Sequence, residues 1–138
     1  MAKQLLKTET PLNGYSKTIN KLKIEEYQFD NLISLAIPLN SERKCRLNFK
    51  KSLGESLPHI EKSIINKSGV LGFRIGLDSL FVCNATNSAF SRKTTPLLKQ
   101  AFYITDQTGG WCGISVEGER VIEMLERICP LNLSIKVF

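Results

Sequence analysis

Asp78 and Asp106 are the only aspartates beyond residue 30. Two carboxylates can divide general-acid and general-base work when a fold brings them together. Nothing in the sequence pairs these two on one element, so the residues alone do not support that chemistry. Other reactive types are sparse. His59 is the sole histidine and follows Pro58 in a loop-like stretch, where a surface position is expected. Cys45, Cys83, Cys112 and Cys129 form no Cys-x-x-Cys pair, and a zinc site would need all four to converge from separate segments. Each sits in an apolar or strand-like context, where cysteine acts as a small hydrophobe, so reduced structural cysteines are expected. Gly109-Gly110 follows Asp106 without opening a helix, which favours a tight turn over a phosphate cradle. No Gly-x-Gly-x-x-Gly or P-loop is present. Trp111 could stack on a ligand, but one tryptophan at a strand start more often makes core or partner contact. The residues thus yield no catalytic, cofactor-binding or metal-ligating set. Asp78, Asp106 and Trp111 remain as candidates for a partner interface.

Elements must position those three. The first 30 residues are polar and carry a turn at Pro11-Leu12-Asn13-Gly14. They are expected to drape as an arm over a single domain spanning 31–138. Leu32 to Ile37 is an apolar run stopped by Pro38 and reads as a strand. Cys45, Leu47 and Phe49 alternate with Arg46, Asn48 and Lys50, the period of a half-buried strand. Leu53 to Pro58 reads as loop. Val70–Ile75 and Leu80–Cys83 read as two strands around a turn at Gly76-Leu77-Asp78. Ser91 to Gln100 reads as a helix that Pro96 shortens or kinks, and Phe102 to Ile104 as a strand. From Trp111 to Val116 the period is that of a strand, with Cys112, Ile114 and Val116 on one face. At Gly118 the period changes. Val121, Ile122, Leu125, Ile128 and Cys129 form a helical stripe, with Glu119 at its start and Arg127 near its end, where the dipole favours them. Pro130 stops it, and Leu133, Ile135 and Val137 alternate again as a strand. This order predicts an α+β fold, a mainly antiparallel sheet with short helices packed on one face.

Size and charge bound the rest. A chain of 138 residues suits one domain able to build a core without disulfides or metal. The N-terminus has no signal-peptide run and no apolar stretch reaches a membrane span, so a cytoplasmic protein is expected. The net charge of +6 is uneven: residues 1–100 hold 16 Lys/Arg against 8 Asp/Glu, and residues 101–138 hold 3 against 5. A basic half invites an acidic partner or nucleic acid. The cluster Arg43, Lys44, Arg46, Lys50, Lys51 has only Phe49 as an interleaved aromatic and no nucleic-acid motif around it, so nucleic acid is the weaker reading.

The run Asp106-Gln107-Thr108-Gly109-Gly110-Trp111, then Ser115-Val116-Glu117-Gly118, Val121 to Leu125 and Cys129-Pro130-Leu131-Asn132-Leu133 resembles the gamma subunit of heterotetrameric sarcosine oxidase. Gly76-Leu77-Asp78-Ser79-Leu80-Phe81-Val82 resembles that family's Gly-Pro-Asp-x-Trp-hydrophobic segment, with Leu77 and Leu80 replacing Pro and Trp. Thr10-Pro11-Leu12-Asn13-Gly14 resembles its N-terminal Ser-Pro-Leu motif. The strand–helix stretch is also similar to the wider glycine-cleavage T-protein superfamily of folate-dependent aminomethyltransferases. There an aspartate works on the folate-bound reaction; here the matching position is Asn132, and an amide can neither take the proton nor carry the charge.

The resemblance implies a domain like part of the aminomethyltransferase folate-binding domain, kept without the chemistry. It implies a non-catalytic assembly subunit of a complex that oxidatively demethylates sarcosine to glycine. The partners would be the alpha, beta and delta subunits. FAD, FMN and NAD would sit in the alpha and beta subunits, with tetrahydrofolate accepting the one-carbon unit, and none of these on this chain. Family members continue past the position of Phe138, so a short or C-terminally truncated member is expected. The alternatives are a free-standing folate-binding module and, on charge alone, a nucleic-acid adaptor.

Overall fold

The computed structural model describes residues 9–84, 95–130 and Leu133. Its elements run β1 (Ser16–Ile19), β2 (Leu22–Tyr27), β3 (Asn31–Ala36), α1 (Glu42–Leu53), β4 (Ser63–Ile65), β5 (Leu71–Arg74), β6 (Ser79–Asn84), a short α2 (95–99), β7 (Tyr103–Asp106), β8 (Gly113–Glu117) and α3 (Val121–Ile128). The fold is α+β and every strand pairing is antiparallel. The chain gathers into two compact units, one from Phe29 to Trp111 and one from the segments that flank it. This division differs from the expected arm over 1–30 and domain over 31–138.

In the Phe29–Trp111 unit, five strands lie in the order β4-β5-β6-β3-β7. β6 is central, and its run Leu80-Phe81-Val82-Cys83 is buried at every residue, so it reads as continuously apolar rather than alternating. Its side chains still divide by face. Leu80 and Val82 join Leu35, Cys45, Phe49, Leu53, Leu98 and Phe102 in the main core, under α1 and α2. Phe81 and Cys83 join Leu32 on the other face, with Phe29, Leu71 and Phe73 against them. The helices of this unit therefore pack on one face of the sheet, as predicted.

The strand expected at Cys45–Lys50 is instead the middle of α1. Cys45, Phe49 and Leu53 are its buried residues, spaced four apart, while Leu47 is 55% exposed. A strand would put Cys45, Leu47, Phe49 and Leu53 on one face, whereas a helix keeps the four-apart set and turns Leu47 away, as observed. End signals agree. Pro38 and Ser41 precede the helix, Glu42 lies in the first turn, and Lys50 and Lys51 lie in the last. Gly54 closes it in the left-handed conformation at φ 78°, its amide donating to the Lys50 carbonyl at 2.9 Å.

The flanking unit holds a three-stranded sheet, β1-β2-β8. The stretch expected only to drape thus supplies two strands. Asn20 and Lys21 join them with φ of 48° and 65°, the paired positive values of a tight hairpin turn. The Glu26 carboxylate organises the preceding turn. It accepts from the Thr10 hydroxyl at 2.7 Å, the Leu12 amide at 3.1 Å and the Gly14 amide at 2.7 Å. After β8 comes Gly118 at φ 141°, where a Cβ would stand 2.5 Å from the Lys21 carbonyl oxygen. No other residue fits there without displacing backbone.

α3 forms where the helical period predicted it. Its stripe is not the core seam that the period implies: α3 has no buried residue, and Ile122 and Ile128 are exposed. Cys112, just before β8, and Ile114 on it are likewise exposed. Residues 134–137 of the strand predicted from Leu133 to Val137, the residue Asn132 and the first part of the Ser91–Gln100 helix fall outside the described residues.

Candidate interaction face

The second face of the five-stranded sheet carries an aromatic row. Phe73 of β5 and Phe81 of β6 are register partners and stack with centroids 5.4 Å apart. Trp111 stands edge-on to Phe81 at 5.2 Å and 73°, the offset that aromatic quadrupoles favour. Phe81 is buried by this arrangement, whereas Trp111 keeps 54% of its surface exposed. Directly opposed residues of antiparallel strands share a face. The pairs Ser34↔Phe81, Ser34↔Thr105 and Ala36↔Tyr103 therefore extend the row toward β7 with polar and exposed side chains.

Asp106 begins the turn that presents Trp111. Its Oδ1 accepts from the Thr108 amide at 2.9 Å and from the Thr108 hydroxyl at 2.7 Å. The amide bond, then the hydroxyl bond, hold its carboxyl below the usual carboxylate range. The same hydroxyl oxygen accepts from the Leu32 amide at 3.1 Å and so ties the turn to β3. The Gly110 amide donates to the Gln107 carbonyl at 2.9 Å, which makes Gly109-Gly110 the tight turn expected.

Asp78 lies at the other end of the sheet. It is exposed in the β5–β6 turn, and its backbone carbonyl accepts from the Ile37 amide at 2.7 Å. Asp106 pairs with Ile33 instead. The two anchor points, Ile33 and Ile37, are four residue steps apart, about 13 Å of extended chain. Asp106 and Trp111 share one turn, and Asp78 is not brought to them. Paired acid–base work by the two aspartates has no geometric basis.

Arg74 is the site residue that sequence reasoning missed. It is nearly fully buried. It donates to the carbonyls of Gly76 (3.1 Å), Leu77 and Pro58 (3.5 Å), and lies 3.5 Å from Glu42 Oε1. A buried charge persists only when it is this well partnered. The signal available was an arginine at a core-facing strand position just before a Gly-containing turn. Glu42 also binds Arg46 at 2.8 Å. Arg46 foremost, and then Arg74, lower its carboxyl despite some opposing desolvation.

Two of the four cysteines, Cys45 and Cys83, are buried as structural use requires, whereas Cys112 is exposed and Cys129 half-buried. Burial alone pushes the Cys83 thiol up to about 11, and burial raises Cys45 as well, whose Sγ reaches the Ala101 carbonyl at 3.1 Å. Elevated thiols are poor nucleophiles at neutral pH. Among the described residues, no three His, Cys, Asp or Glu side chains gather to hold a metal. A shallow cleft between the β1–β2 turn and α3 is lined by Asn20, Leu22, Arg120, Glu123, Met124 and Arg127. Its Arg120 is already paired with Glu123 at 2.6 Å.

No protein-family model matches this chain, and no curated protein matches it either. Among solved structures, it is similar to a chain of the heterotetrameric sarcosine oxidase from Corynebacterium sp. U-96, solved in complex with pyrrole 2-carboxylate. The TM-score is 0.68 at 18% identity, and the match covers 87% of this chain and 63% of that one. The fold is sarcosine oxidase-like. At this identity the likeness establishes architecture and not residue roles. Among the described residues, no helix is long and apolar enough to cross a membrane.

Proposed function

We propose that this chain is a non-catalytic assembly subunit of a sarcosine-oxidase-type complex, in the position of a gamma subunit. The observation that carries the reading is the fold likeness over 87% of the chain. The interaction face adds to it. A half-exposed tryptophan seated on a buried phenylalanine is a rigid, amphipathic anchor of the kind that dominates protein interfaces. On this reading the turn from Asp106 to Trp111 and the turn at Asp78 contribute partner contacts. The partners would be the alpha, beta and delta subunits of a cytoplasmic complex, with FAD, FMN and NAD in the alpha and beta subunits and tetrahydrofolate accepting the one-carbon unit.

The test is co-expression with the products of the adjacent genes, followed by size-exclusion chromatography. The chain is expected to elute with flavin absorbance at the size of a complex. Elution as a stable monomer, with the flavoprotein elsewhere in the profile, overturns the reading.

A further inference from the structure

Four large apolar side chains stand exposed at one end of the five-stranded sheet. Leu39 is 89% exposed, Leu77 77%, Tyr103 71% and Ile75 56%. Backbone bonds place them together. The Ile37 amide, just before Pro38 and Leu39, donates to the Asp78 carbonyl. Tyr103 pairs with Ala36 at the same end of β3. The Ile75 and Gly76 amides both donate to the Ser79 carbonyl, closing the turn that carries Leu77. Arg74 holds that turn from within through the Gly76 and Leu77 carbonyls. Its contact with Glu42 brings the first turn of α1 alongside.

That helix supplies a basic rim. Arg43 and Lys44 are exposed. α1 carries five Lys and Arg residues against the single acid Glu42, which is already engaged by Arg46 and Arg74. Asp78 adds one exposed negative charge to the turn. Isolated exposed apolar side chains are ordinary, but a group of them at one sheet end beside arginines has the composition of a protein interface.

Charge selects the occupant. A symmetric pair of copies would set this patch against itself, rim to rim. Like-charged rims repel, and the chain as a whole carries +6. We propose that this sheet end docks on a partner protein whose surface has an apolar hollow rimmed by Asp and Glu, with Leu39 and Leu77 as the inserted anchors. The proposal rests on the subunit reading above and names the face and the chemistry it meets.

The test uses the full chain, tagged and co-expressed with the flavoprotein subunits of the adjacent genes. Wild type is compared with Leu39→Ser/Leu77→Ser and with Arg43→Glu/Lys44→Glu. All four side chains are solvent-exposed, so circular dichroism and melting temperature should stay at wild-type values. The serine pair is expected to weaken flavoprotein binding by about tenfold or more. The glutamate pair is expected to slow association, with the difference from wild type shrinking as salt is raised. If wild type and both variants bind equally, the patch is wrong and the subunit reading stands. If no form binds flavoprotein, both fall. If wild type self-associates and the serine pair is monomeric, the occupant is a second copy and the proposal is overturned.

Discussion

The Asp106 carboxylate takes two hydrogen bonds from Thr108, one from its amide and one from its hydroxyl. Both favour the ionised form, so the folded-state pKa lies below the unfolded one. For a carboxyl depressed in this way, the stabilisation is present above the unfolded value, about 4. It is lost as pH falls through the lower folded value. Thr108→Val keeps the amide bond and deletes the hydroxyl bond. Its melting temperature should therefore show a shallower fall below about pH 4 than wild type. Parallel melting curves for the two proteins across that range would show that the hydroxyl does not hold the carboxylate. At this scale Gly109-Gly110 made the turn readable from sequence, because the backbone preference of glycine is local. The Trp111–Phe81 contact was not readable, because it joins residues far apart along the chain.

α1 shows how a local pattern can mislead. Alternation of Cys45, Leu47 and Phe49 puts all three on one strand face. The helix puts Cys45, Phe49 and Leu53 inside and leaves Leu47 out. The two readings differ in what mutation does. Phe49→Ala should cost about 3–5 kcal/mol, because Phe49 is fully buried and packs edge-on to Phe102 at 6.5 Å. Leu47→Ala should stay within about 0.5 kcal/mol of wild type. Chemical denaturation measures both, and equal losses would restore the strand reading. β3, β5, β6, β7 and β8 were legible, since short apolar runs between turn residues leave few alternatives. β1 and β2 were not: their residues are mostly polar, β1 is exposed throughout, and β2 is defined by pairing with β8 rather than by its own hydrophobicity.

Across the whole molecule, burial is concentrated in β6, β3 and α1, whose residues dominate the main core. β1 is exposed at every residue and α3 buries none. Local opening is cheapest where few apolar contacts would be lost. Hydrogen exchange should therefore be slowest at Leu80–Cys83 and Leu35 and fastest along Ser16–Ile19 and in α3. Equal protection in α3 and β6 would contradict this distribution.

The sequence by itself determined the α+β class, the turns at Pro11–Gly14, Gly76–Asp78 and Gly109–Gly110, and the helix starting after Gly118. These depend on side-chain period and on the backbone preferences of Gly, Pro, Asn and Asp, which act over a few residues. Tertiary structure alone decided that residues 42–53 coil rather than extend. It decided that β2 lies between β1 and β8, that Arg74 clamps the turn bearing Asp78, and that Phe81 meets Trp111 while Leu80 meets the helices. Those choices are made by burial and hydrogen bonds between residues tens of positions apart, a free energy that no short window of sequence contains.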